Sequence, residues 1–63
     1  MDNFPELVLA EVKKGIKYQD AIAKNLNAKS SDVDLALRFL AQQGEIHLGN
    51  KDILGNYMDI SPR

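Results

Sequence analysis

The sequence predicts an α+β domain, mainly α, in which three helices precede a C-terminal β-hairpin. Three observations carry this expectation. Apolar residues recur at helical spacing through three segments ending near Leu40. Residues suited to stopping a helix separate the segments, namely Gly15, Asn27 and Gly44. Beyond Gly44 the apolar period drops to two, as on a half-buried strand. The expected elements are helices over about residues 4–14, 18–26 and 31–43 and a hairpin over about 45–60, within one domain spanning residues 1–63.

The first helix opens at Asn3-Phe4-Pro5, because Asn can accept a bond from an unpaired amide and Pro suits the first turn. Val8, Leu9 and Val12 share one side of it, and Ile16 follows just beyond. Lys13-Lys14-Gly15 places positive charge and a glycine where a helix ends. The second helix is short, with Ile22, Ala23 and Leu26 at helical spacing and Asp20 in the first turn, where the helix dipole favours an anion. Asn27 readily takes the left-handed conformation and breaks it.

The third helix carries the strongest periodicity: Val33, Ala36, Leu37 and Leu40 form a buried stripe. Ser31 followed by Asp34 resembles a capping box, with Ser30 as the other candidate cap. After Gly44, Ile46 and Leu48 alternate with Glu45 and His47. Gly49-Asn50 and Gly55-Asn56 are turn signals, Tyr57-Met58-Asp59-Ile60 reads as the return strand, and Ser61-Pro62-Arg63 is expected to fray.

Composition narrows the function. With 44% hydrophobic and 27% charged residues the chain has the balance of a folded domain rather than a disordered one. At 63 residues it has little core to spare, which makes a dimer or a ligand surface plausible on size alone. The absence of cysteine excludes disulfides, thiolate metal sites and thiol redox chemistry. No segment approaches the roughly 18 apolar residues of a membrane span, and no leader-like pattern opens the chain, so a cytoplasmic protein without membrane partners is expected. A net charge of -1 is low for a protein that neutralises phosphates.

Catalysis is not expected, nor a cofactor or a metal. His47 is the lone histidine and is expected to face solvent on a strand. Asp32 with Asp34, and Asp52 with Asp59, are not helical neighbours at i, i+4, and neither pair has a His or Cys nearby in sequence. Gly49 and Gly55 lack the following helix and Lys-Ser/Thr of a phosphate cradle, so turn formation explains them.

The stretch Ile22-Ala23-Lys24-Asn25-Leu26-Asn27, followed by Ser31, Val33, Leu37, Leu40 and Gly44-Glu45-Ile46, resembles the helix-turn-helix signature of the winged helix DNA-binding family. The outer elements agree in order without adding a signature of their own. Such spacing has a mechanical reason: Ala23 lets the third helix cross closely over the second, and the apolar residues lock the pair so that the third helix keeps one face free. In the family that face enters the major groove of duplex DNA and the hairpin, or wing, touches the adjacent backbone or minor groove. By position, the resemblance implies Ser30, Ser31, Asp34, Leu35 and Arg38 as base-facing residues, and Lys24, Lys29, Asn50 and Lys51 as backbone contacts. It further implies a small transcriptional regulator, acting as a dimer because one short helix offers limited contact. Arg38 is the prime candidate, since Arg is the commonest reader of guanine edges.

Two features depart from that pattern. Asp32 and Asp34 put negative charge at the leading end of the third helix, where the dipole also favours it. Leu35 and Phe39 form an apolar pair beside the buried stripe, where the family usually shows polar residues. The alternative function is therefore a protein-interaction winged helix that uses Leu35, Phe39 and the acidic start of the third helix, with Phe39 also placed to pack under the wing. The subgroup of the family that binds left-handed nucleic acid needs a polar amide and a tyrosine on the open face and prolines in the wing. This chain offers Asp34, Arg38 and a proline-free Gly49 to Asn56 instead.

Overall fold

A computed structural model describes residues 3–63. The elements run α1 (Phe4–Lys13), α2 (Gln19–Leu26), α3 (Ser30–Gln42), β1 (Ile46–His47) and β2 (Ser61–Pro62). The two strands pair antiparallel, Ile46 opposite Pro62 and His47 opposite Ser61. Three helices followed by a two-stranded hairpin is the layout of a winged helix, as the apolar periodicity predicts.

Each helix ends by the same device. Gly15, Asn27 and Gly44 sit at φ of 101°, 53° and 78°, a left-handed turn that lets the chain double back on the last carbonyls. The amides of Ile16, Ala28 and Glu45 then bond to the carbonyls of Glu11, Ala23 and Leu40 at 2.9–3.2 Å. These bonds satisfy acceptors that a bare helix end would leave unpaired.

The starts behave differently from the expectation. Asn3 offers its carbonyl to the Leu7 amide at 3.1 Å, while its side chain makes no cap bond. Helix α3 begins one residue early, with Lys29 in the cap position, and no capping box forms at Ser31. The Lys29 carbonyl takes the amides of Asp32 and Val33, both at 3.1 Å, so Ser31 is already inside the first turn.

The core draws Phe4, Val8 and Val12 from α1, Ile22 and Ala23 from α2, and Val33, Ala36, Leu37 and Leu40 from α3. Ile46 and Ile60 close it from the hairpin. Helix α3 thus lies on both other helices, with its stripe buried as its spacing requires. One buried carboxylate crosses between helices: Glu11 accepts Lys14 Nζ at 2.8 Å and Asn25 Nδ2 at 2.9 Å. The Lys14 bond first, then the Asn25 bond, holds its pKa below the ordinary 4.5, against the opposing effect of burial.

The hairpin departs from the expected register. Tyr57 to Ile60 do not pair with β1; the Tyr57 carbonyl accepts the Gln19 amide and the Ile60 amide donates to the Lys17 carbonyl, both at 3.0 Å. The segment entering α2 takes the place of a partner strand. Asp59, at φ 55°, redirects the chain afterwards, and pairing with β1 falls to Ser61 and Pro62. The C-terminal residues expected to fray are therefore bonded, down to the Arg63 amide on the Glu45 carbonyl at 3.1 Å. Farther out, Lys51 and Tyr57 form an isolated bridge. Gly49 is not a turn: an added Cβ would lie 2.6 Å from the Met58 carbonyl oxygen and 2.7 Å from Asp59 Cβ, so only glycine lets the two legs of the wing approach.

Candidate nucleic-acid interface

The buried stripe of α3 dictates what its far side presents. With Val33, Leu37 and Leu40 turned inward, Ser31, Leu35 and Arg38 emerge on the open side, all exposed. Leu35 is 59% exposed. Arg38 Nε donates to Asp34 Oδ1 at 3.1 Å, one helical turn back. That bond steadies the guanidinium and leaves its terminal nitrogens for an outside acceptor. Both ends of the pair are partly solvated, so it contributes little to stability.

The start of α3 is fixed by a residue absent from the sequence expectation. Gln19 is 2% exposed, and its Nε2 donates to both the carbonyl and the Oγ of Ser30 at 2.9 Å. Its Oε1 accepts the Tyr57 amide at 2.9 Å. One amide thus joins the entry of α2, the first turn of α3 and the inner leg of the wing. Ser30 completes the link by donating to Asn56 Oδ1 at 3.1 Å. The hydroxyl proposed to face bases is engaged on both sides inside the protein.

The remaining positions divide between two elements. Lys24 lies exposed on α2, and Lys29 is exposed where α3 begins. Asn50 and Lys51 are exposed on the wing. The Asn50 carbonyl accepts the Met58 amide at 2.8 Å, and Lys51 Nζ lies 4.8 Å from the Tyr57 ring centroid, a cation–π contact. The Ser30–Asn56 bond sets the outer wing beside the first turn of α3, which brings Lys29, Ser31 and the wing to one edge of the molecule.

The opposite flank of α3 has other chemistry. Phe39 does not pack under the wing; it is 49% exposed and faces α1, where it lines two adjoining depressions of about 430 and 290 Å³. Pro5, Leu9 and Leu35 contribute further apolar walls, and Glu6, Asp32 and Glu45 supply the charge. The hairpin takes a course toward α2 instead, which is why it does not cover Phe39.

His47 is exposed on β1, as alternation with Ile46 requires. Among the described residues no group of three or more His, Cys, Asp or Glu is placed to hold a metal ion, and no helix is long and apolar enough to cross a membrane. Comparison with protein-family models, with curated proteins and with solved structures finds no match to this chain.

Proposed function

We propose that the chain is a small regulator that binds duplex DNA, seating the open face of α3 in the major groove with the wing against the neighbouring backbone. The observation that carries the reading is the uncovered side of α3: Ser31, Leu35 and Arg38 stay exposed while the Gln19 clamp holds the helix start against the wing. A helix held from behind and free in front is what groove reading needs. Arg38 is the base reader, with Leu35 beside it for a thymine methyl. Lys29, Lys24, Lys51 and Asn50 are the backbone contacts, with Ser31 able to serve either target. Asp34 positions Arg38 rather than meeting DNA itself.

Fluorescence anisotropy with labelled duplex tests this reading. Binding should weaken as salt rises, with a log–log slope near -0.9 per neutralised phosphate. Arg38→Ala should cost about 1–3 kcal/mol on a preferred sequence, and Lys29→Ala should weaken all sequences alike and reduce the slope by about one. Absence of any anisotropy change at low salt rejects the reading.

A second reading, a winged helix that docks protein, is favoured by one observation: the apolar depressions around Phe39 carry carboxylates at Glu6, Asp32 and Glu45. Such a surface repels phosphate and suits an apolar partner segment.

A further inference from the structure

Among the described residues, one hydrogen bond joins the outer wing, residues 49–57, directly to α3: Ser30 Oγ to Asn56 Oδ1. A lone exposed bond between neutral groups adds little to stability, because water offers both partners an alternative. This bond is the last step of a ring.

The ring starts at the Tyr57 amide, which donates to Gln19 Oε1 and so leaves Gln19 Nε2 as the donor toward Ser30. Nε2 bonds Ser30 Oγ at 2.9 Å, and a hydroxyl oxygen that accepts on one side carries its own proton on another. That proton goes to Asn56 Oδ1 at 3.1 Å, and Asn56 immediately precedes Tyr57, where the ring began. Every donor points the same way round. Each bond therefore polarises the next, and none can turn without breaking its neighbour.

The ring reaches both halves of the DNA surface. On one side it grips the first turn of α3, beside Lys29 and Ser31. On the other it holds Tyr57, which forms a bridge with Lys51 and lies with its ring centroid 4.8 Å from Lys51 Nζ. Where Tyr57 is held, the wing cation is held. The groove between α1 and α3 beside Phe39 lies on the other flank and takes no part.

We propose that Gln19, Ser30 and Asn56 are positioning residues that make α3 and the wing bind one duplex as a single rigid body, without touching DNA themselves. The proposal rests on the DNA-binding reading and adds to it how the two contact elements are kept in register. With the ring closed, the wing is already placed when α3 enters the major groove, and its phosphate contact is made without further ordering. With the ring open, the angle between wing and α3 is free, and fixing it on DNA consumes much of what the Lys51 contact contributes. Ser30 thereby changes role from base reader to coupling element.

Anisotropy titrations with one labelled duplex across a salt series test this with Ser30→Ala, Asn56→Ala, Lys51→Ala and their pairwise combinations. Both ring variants keep the fold: the Lys29 carbonyl still caps α3, Gln19 Nε2 retains the Ser30 carbonyl, and the Asn56 side chain makes no other hydrogen bond among the described residues. Neither substitution removes a charge, yet each should weaken binding several-fold and reduce the salt slope by about 0.9, the share of one phosphate contact. Lys51→Ala should do the same, and adding it to either ring variant should change nothing further. Ser30→Ala combined with Asn56→Ala should match either alone. A slope that keeps its wild-type value in both ring variants overturns the coupling and leaves the DNA reading in place. Losses that add in the Ser30–Asn56 pair overturn it too, because the two side chains would then be separate DNA contacts. A wild type that binds no duplex at low salt removes the reading and the coupling together.

Discussion

The two flanks of α3 are built on opposite rules. Toward α2 and the wing, polar groups are paired inside the protein: Gln19, Ser30, Asn56 and the Tyr57 backbone are bonded to one another. Toward α1 the surface is apolar, ringed by carboxylates and only half covered. The first arrangement fixes an orientation, because each amide and hydroxyl has one geometry that satisfies its partners. The second leaves contact area unused. A single short helix can thus be held rigidly on one side and left available on two others.

If the clamp fixes that geometry, breaking it should have the largest effect. Gln19→Ala leaves the Tyr57 amide without its partner and removes both bonds to Ser30, and should cost about 2 kcal/mol. For a domain of this size that is a large part of the total, so the melting temperature should drop steeply and amide exchange should quicken first at Tyr57. Gly49→Ala comes next. Its Cβ would meet backbone, so the wing legs must separate, at about 2 kcal/mol measured by denaturant melts.

The α1 flank should respond far less. Phe39→Ala removes a ring that is half in water already, and should change stability by under about 1 kcal/mol. A larger loss would mean that Phe39 belongs to the core and that the groove is closed in solution. The smallest effect concerns pH. Glu11 has its folded pKa lowered, so its stabilisation is present above about 4.5 and fades as pH falls through the lower folded value. Glu11→Gln should be less stable than the wild type near neutrality and should lose less on acidification, as read from thermal melts across that range.

The parts of the fold that are local in sequence were legible. Gly15, Asn27 and Gly44 end helices because a left-handed residue is needed there, and the Val33 to Leu40 stripe records its own burial. What the residues hid depends on distant partners. The return leg of the hairpin shifts because residues 57–60 bond to residues 17–19, a choice that neither segment encodes alone. Gln19 itself carries no sequence signal, since a glutamine opening a helix after Tyr18 looks like any solvated one. Its position after a short connection, opposite a wing rich in backbone donors, is visible only in the folded chain. The sequence offers Ser30 and Ser31 as caps, yet Lys29 supplies the capping carbonyl and Ser30 joins the clamp. Of the site positions, Ser31, Leu35 and Arg38 could be placed from the stripe by helical geometry, while the outer wing's place beside the start of α3 could not.

The most direct test of the two-flank account is a map of backbone amide shifts as duplex DNA is added to the isotopically labelled protein. The account predicts changes over Lys29 to Arg38 and at Asn50 and Lys51, with Glu6, Leu9 and Gln43 unmoved. Shifts confined to Glu6, Leu9, Phe39 and Gln43, or none at all, would contradict it.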